Sequence, residues 1–77
     1  MNWDKVPQQP RSICATGRSG VRYEIEAPTG KKRKGWMLCS TIPGHAPKEF
    51  AVLESAQMAA ERMEFLIARL PRSRAHG

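Results

Sequence analysis

The chain has 77 residues, a mass of 8.6 kDa and a formal net charge of +6 at pH 7. This length fits one small domain, and such a domain buries only about 60% of the surface that its unfolded chain exposes. Its longest apolar runs are far too short to span a membrane. The N-terminus lacks the apolar stretch of a secretory signal, so we expect a cytoplasmic location.

The basic charge is unevenly distributed along the chain. Residues 1–47 carry a net charge of +5, residues 48–70 carry −1, and the tail from residue 71 adds +2. This distribution favours acidic or polyanionic partners. The two cysteines, Cys14 and Cys39, are too few for a secreted disulfide scaffold, and we expect them to be buried as small apolar side chains.

The first 11 residues are predicted to form an extended N-terminal arm. Pro7 and Pro10 favour extended polyproline-type conformation over helix, and Trp3 is a candidate anchor for this arm. Three strands are predicted to follow, at residues 12–15, 21–27 and 35–41. The second has the clearest pattern, because apolar and charged side chains alternate along it, which indicates one buried and one solvated face.

A C-terminal helix is predicted from Leu53 to Leu70, where Pro71 ends it. At 100° per residue, its apolar side chains fall within one arc and predict a core-facing stripe: Leu53, Ala56, Ala59, Ala60, Met63, Leu66, Ile67 and Leu70. The predicted fold is therefore α+β, a three-stranded antiparallel β-meander with one C-terminal helix packed on one face. Its single domain covers residues 12–70, and residues 71–77 form a flexible basic tail.

A run of four cations lies at the predicted hairpin tip: Lys31, Lys32, Arg33 and Lys34. Together with Arg18, Arg22 and the tail residues Arg72 and Arg74, this run could contact phosphates or an acidic surface. The alternative is a solvated turn that pairs across the hairpin with Glu24 and Glu26. Those two carboxylates also argue against the sheet face as a platform for nucleic-acid bases.

The predicted helix carries a second candidate surface on the side opposite its core stripe. Met58, Arg62, Phe65 and Arg69 follow one another at helical spacing there. Met, aromatic residues and Arg are enriched in protein interfaces. These side chains are expected either to contact a protein partner, or to be covered by the N-terminal arm or by a second copy in a homodimer.

No residue pattern indicates catalysis. The only potential soft metal ligands are Cys14, Cys39, His45 and His76, and their spacing contains no pair typical of a zinc site. No paired carboxylates or nucleophile–base motif is present. We therefore expect a non-enzymatic protein that needs no metal or cofactor.

Two family resemblances bear on function. The order of strands and helix, with a basic hairpin, is similar to the arm-type DNA-binding domains of phage integrases, through residues 21–25 and 50–61. Glu24 and Glu26 depart from that family, since they stand where it places base- or phosphate-contacting side chains. In size, single domain and lack of motifs, the chain resembles the small accessory proteins of phages and mobile elements, among them the anti-CRISPR proteins.

The second resemblance implies a non-enzymatic inhibitor that docks on a nucleic-acid-handling protein complex in a bacterial cytoplasm. The main functional hypothesis is accordingly a protein-binding surface at Met58, Arg62, Phe65 and Arg69, with the basic tip adding electrostatic attraction. The alternative is direct, weakly sequence-selective nucleic-acid binding through the tip and the arms.

Overall fold

The computed structural model describes residues 1–31 and 33–69, which form one antiparallel sheet and one helix. The elements in chain order are β1 (Asp4–Val6), β2 (Gln9–Thr16), β3 (Arg22–Glu26), β4 (Trp36–Ser40), β5 (Lys48–Phe50) and α1 (Leu53–Ala68). The strands lie side by side in the same order, and α1 packs across one face of the sheet. Among the described residues, no helix has the length and apolar character needed to cross a membrane.

The α+β class with a C-terminal helix is confirmed, but the predicted number of three strands is wrong, since the sheet has five. The added first strand comes from the segment interpreted as an arm, which supplies β1 and the start of β2. Pro7 lies in the turn between them, where its fixed φ is favourable. Pro10 lies where the pairing of β2 with β1 shifts register, and it is opposite no residue of β1 or β3. Its missing N–H therefore costs the sheet no hydrogen bond between paired residues.

The added fifth strand is β5, which pairs with β4 through Trp36–Phe50 and Leu38–Lys48. It was not predicted because its three residues follow Pro47 and include only one apolar side chain. Such a short, charged edge strand is a common end to a natural sheet. Glu49 secures β5, because its carboxylate accepts a hydrogen bond of 2.9 Å from the backbone N–H of Gly35, at the start of β4.

The core lies between the sheet and α1. Its fully buried sheet side chains are Tyr23, Ile25 and Leu38, and these contact Ala56 and Ala60 of the helix. Small side chains on the helix allow its axis to lie close to the sheet. Trp3 also packs against this cluster, so the predicted anchoring role of Trp3 is consistent with the structure.

The buried face of α1 differs from the predicted stripe at its C-terminal end. Leu66 was expected in the core but is 55% exposed, whereas Glu64 is only 9% exposed. The buried face is therefore centred on the line through Ala56, Ala60 and Glu64, which advances four residues at each step. Leu70, the predicted last helical residue, lies outside the described part of the chain.

The buried carboxylate of Glu64 binds the turn between β2 and β3. It accepts hydrogen bonds from the Ser19 backbone N–H at 2.8 Å, the Ser19 hydroxyl at 2.7 Å and the Tyr23 hydroxyl at 3.0 Å. Gly17 is required beside it, because a Cβ there would overlap the carboxyl group of Glu64. The interaction joins the last turns of α1 to the sheet.

The hydrogen bonds determine the protonation state of this carboxylate. Burial raises the pKa of Glu64, but the Ser19 and Tyr23 donors lower it further than burial raises it, and the net shift is downward. The pKa of the Tyr23 hydroxyl is raised by its burial and by its hydrogen bond to Glu64. Glu64 is therefore ionised and Tyr23 neutral at pH 7, which is the arrangement that these hydrogen bonds require.

Replacing Glu64 with Gln is expected to destabilise the fold by about 1–3 kcal/mol, because charged hydrogen bonds are lost and buried donors lose their best acceptor. The matched control is Glu61→Gln on the same helix. Glu61 is exposed, with partners at 3.4 and 3.7 Å, so its replacement should change the free energy of unfolding by less than about 0.5 kcal/mol. Urea unfolding monitored by circular dichroism measures both. Equal effects would contradict the assigned role of Glu64.

The lowered pKa of Glu64 also predicts that the stability of the fold depends on pH. A carboxyl group whose pKa is lower in the folded than in the unfolded chain stabilises the fold at pH values above its ordinary pKa of about 4.3. This stabilisation is lost as the pH falls through the pKa of the folded state. The difference in unfolding free energy between wild type and Glu64→Gln should therefore be constant near neutrality and shrink below about pH 4. Unfolding curves measured between pH 7 and pH 3 test this. A difference that grows in acid would contradict it.

Candidate protein-binding surface

The four side chains predicted to face away from the sheet are exposed along one side of α1. Met58 is 70% and Phe65 58% exposed, and Arg62 and Arg69 are exposed beside them. Because Glu64 points into the core, the next residue, Phe65, is turned about 100° away from it. The structure thus brings Met58, Arg62, Phe65 and Arg69 together as one surface, here called the outer face of α1.

The arginines of the outer face are available for a partner. The guanidinium of Arg69 lies over the Phe65 ring, 5.1 Å from its centroid, a cation–π contact worth about 0.5–1 kcal/mol when exposed. Within the described residues, neither Arg62 nor Arg69 forms an ion pair. Stacking restricts the Phe65 ring and one guanidinium before binding, which reduces the entropy cost of an interface.

The N-terminal segment does not cover the outer face. Its contacts are with the adjacent side of the helix, where the N-terminal ammonium lies 3.7 Å from a Glu61 carboxylate oxygen and the Trp3 indole N–H donates to the same oxygen at 3.4 Å. Met1 and Phe65 both line an open cleft of about 550 Å³, and Phe65 remains 58% exposed. The proposed covering by the arm is therefore not what the structure shows.

On its other side, the outer face continues into a groove between α1 and β5. Leu66 lies one helical turn after Arg62, about 40° further round the helix axis, and it forms the helix wall of the groove. The opposite wall is Phe50, and the volume is about 290 Å³. Lys48 and Arg62 lie at the rim, with the Lys48 ammonium 5.7 Å from the Phe50 ring centroid. Sequence reasoning missed this groove because it assigned Leu66 to the core and did not predict β5.

The basic run at the β3–β4 turn is not a set of four free cations. Arg33 is directed back onto its own hairpin, where it donates to the carbonyls of Ala27 at 2.8 Å and Gly35 at 3.2 Å, with Glu26 at 3.7 Å. Lys31 and Lys34 are exposed. Lys32 lies outside the described residues, as do Arg72 and Arg74 of the tail.

The remaining predicted cations lie at the other end of the sheet. Arg18 and Arg22 flank the β2–β3 turn, whereas Lys31 and Lys34 flank the β3–β4 turn. These turns are separated by the five residues of β3, about 17 Å at 3.3 Å per residue. Arg22 also donates to the Cys14 sulfur at 3.3 Å. The structure therefore does not unite the cations into one phosphate-binding patch.

The sheet face opposite α1 carries both cysteines and two carboxylates. Cys14 and Cys39 are the cross-strand neighbours of Glu24, one on each side. Two strand spacings, about 9.6 Å, separate them, which exceeds the reach of a disulfide. Burial, followed by the charges of Glu26 and Glu24, raises the pKa of the Cys39 thiol. Both cysteines are only partly buried, so the expectation of fully buried thiols is not met.

The structure also shows how the candidate metal ligands are arranged. Within residues 1–31 and 33–69, no cluster of three or more His, Cys, Asp or Glu side chains is arranged to hold a metal ion. His45 lies in the β4–β5 loop beside the groove. His76, the other histidine considered as a ligand, is outside the described residues.

Comparison of the chain with protein-family models, with curated proteins and with solved structures finds no match in any of the three.

Replacing Arg33 with Ala is expected to destabilise the protein by about 1–2 kcal/mol, because two backbone carbonyls at the turn lose a charged donor. Lys31→Ala and Lys34→Ala remove the same charge from exposed positions, and each should change the free energy of unfolding by less than about 0.5 kcal/mol. Thermal melts of the three variants measure this. Equal melting temperatures for all three would show that Arg33 is a free surface cation.

Proposed function

We propose that this chain is a small non-enzymatic binding protein that docks on an acidic protein surface through the outer face of α1. The observation that carries the proposal is the exposure of Met58 and Phe65 beside two arginines that form no ion pair within the described residues. Neither Met58 nor Phe65 belongs to the core cluster or to the partly buried side chains packed against it.

Energetic arguments support an interface at this position. Binding energy in protein complexes concentrates in a few central residues, among which aromatic residues and Arg are enriched. A carboxylate on the partner can accept two parallel hydrogen bonds from the planar guanidinium of Arg62 or Arg69. Phe65 and Met58 supply the apolar surface that excludes water from those contacts.

The class of target follows from the charge of the whole chain. A net charge of +6 accelerates association with a negatively charged assembly, and we propose a nucleoprotein complex as the target, with inhibition as the outcome. The proposal includes a cytoplasmic location, which is supported by two thiols that lie too far apart to pair.

Direct nucleic-acid binding is the second candidate, supported by the exposed lysines Lys31 and Lys34. It is the weaker one, since Arg33 is engaged within its own hairpin and the basic side chains lie at opposite ends of the sheet. Glu24 and Glu26 between them would repel a phosphate backbone. Homodimerisation through the outer face is a further outcome that the same experiment detects.

The double variant Phe65→Ala/Arg62→Glu should abolish partner binding while leaving the melting temperature nearly unchanged, because both side chains are exposed. The control is Val52→Ala/Lys31→Glu, which likewise truncates an exposed apolar side chain and reverses an exposed positive charge, but at positions elsewhere; Val52 is 49% exposed. Partners are captured from nuclease-treated bacterial lysate, identified, purified and titrated against all three proteins by calorimetry. We expect loss of at least about 2 kcal/mol of binding free energy in the first variant only.

Three results would contradict the proposal. Equal binding by the two double variants would leave the outer face without a role. Loss of all capture on nuclease treatment, with salt-sensitive binding of the pure chain to duplex DNA, would favour the nucleic-acid alternative. A dimer in sedimentation equilibrium that the first variant dissociates would assign the outer face to self-association.

A further inference from the structure

One edge of the sheet is open beside the groove. Because β5 is the last strand of the sheet, its outer edge has no neighbouring strand among the described residues. Its N–H and C=O groups on that side are therefore free to pair with an added strand. The hydrogen bond from Gly35 to Glu49 and the pairing with β4 hold this edge in place before any ligand arrives.

The groove next to this edge has an apolar floor and a cationic rim. Met63 and Phe50 line it, Leu66 forms its outer wall, and Lys48 and Arg62 lie at the rim. His45 also contributes, and its Nδ1 atom is buried with no hydrogen-bond partner within the described part of the chain. An unpaired buried polar atom is rare in folded proteins, and here it lies where an incoming polar group could pair with it.

We propose that β5 and the groove bind an extended acidic segment of a protein partner, which adds to the sheet as a sixth strand. This inference rests on the proposed function and names the chemistry of the partner. Main-chain hydrogen bonds to β5 supply affinity, and alternate side chains of the segment contact the groove. Lys48 and Arg62 select carboxylates, while Phe50 and Leu66 select an apolar side chain.

The register of β5 sets the sequence preference of the added strand. Lys48 pairs with the buried Leu38, and Phe50 pairs with Trp36, which packs against the core. Glu49, between them, pairs with Met37. Side chains alternate between the two faces of a sheet. The segment is therefore expected to place an acid opposite Lys48 and an apolar residue opposite Phe50. The residue between them faces Glu49 and should be neutral or basic.

A second copy of this chain fits the edge poorly. Symmetric antiparallel pairing of two β5 strands centred on Glu49 would place the two Glu49 carboxylates directly opposite each other, and like charges in that position are destabilising. A nucleic acid would gain little from the apolar floor of the groove. The acidic peptide satisfies both the cations at the rim and the apolar side chains beneath them.

The test is a selection of random octapeptides displayed on phage against the intact chain, followed by fluorescence anisotropy with the best peptide made synthetically. We expect enrichment of an acid and an apolar residue two positions apart, separated by a neutral or basic residue. Lys48→Glu should weaken binding by at least about tenfold. Lys31→Glu, the same charge change at the exposed β3–β4 turn, should not. Two further peptides carry N-methyl groups on alternate backbone amides, one at the odd and one at the even positions. Only one of the two should lose binding, since only one set of amides faces β5.

The outcomes separate this inference from the proposed function. Absence of enrichment, enrichment without acids, or equal binding by Lys48→Glu and Lys31→Glu overturns the sixth-strand model. If Phe65→Ala/Arg62→Glu still abolishes partner binding in that case, the outer face of α1 retains its proposed role. If instead the selected peptide binds as expected but Phe65→Ala alone leaves partner binding intact, peptide binding at β5 is supported and partner binding by the outer face of α1 is contradicted. A dimer detected by sedimentation that Lys48→Glu dissociates would also overturn the peptide model.

Discussion

The ionised carboxylate of Glu64 is the interaction on which the remaining arrangement depends. It is held by Ser19 and Tyr23, so it fixes both the distance of α1 from the β2–β3 turn and the rotation of the helix about its own axis. With Glu64 directed inwards, helical geometry leaves Phe65 and Met58 directed outwards. A buried polar contact thereby determines which apolar side chains remain available to a partner. Buried hydrogen-bonded charges specify one arrangement because any other leaves them unpaired.

The two sides of the molecule differ in charge. The outer face of α1 and the β5 groove present Arg62, Arg69 and Lys48 around apolar surface, with Glu54 and Glu61 exposed elsewhere on the helix. The opposite face of the sheet presents Glu24 and Glu26 beside Arg22. The local cluster of cations around the outer face and the groove therefore favours contact there with carboxylates of a partner. The outer face of α1 and the β5 groove share Arg62, which makes them parts of one continuous surface.

The sequence was sufficient for the features that depend on strong periodicity. The alternation around Tyr23 and Ile25 predicted β3, and the helical stripe predicted α1 together with its exposed side. Both reflect burial of apolar side chains on one face, which local pattern records directly. The edge strands were missed because an edge strand needs few apolar residues, and Pro7 and Pro10 are compatible with a turn and an irregular pairing as well as with an extended arm.

Other features depended on contacts between residues far apart in the chain. Leu66 was assigned to the core because it is apolar, and Glu64 was absent from the predicted core, yet Glu64 is buried against donors on the β2–β3 turn and Leu66 is exposed. Arg33 could not be distinguished from its neighbours by sequence, since its role comes from carbonyls that the folded hairpin brings to it. The β5 groove could not be predicted, because one of its walls belongs to an unpredicted strand and the other is Leu66, which was assigned to the core.

The order of the strands has a consequence for how the chain folds. Each strand pairs with its neighbours in sequence, so every hairpin closes over a short loop, and such local topology favours rapid folding. The helix is different, since the bond between Ser19 and Glu64 spans 45 residues. All five strands precede α1 in the chain, so they leave the ribosome first, and the apolar face of the sheet stays uncovered until α1 follows. The nascent chain therefore exposes an aggregation-prone apolar face until α1 has emerged from the ribosome and packed against it.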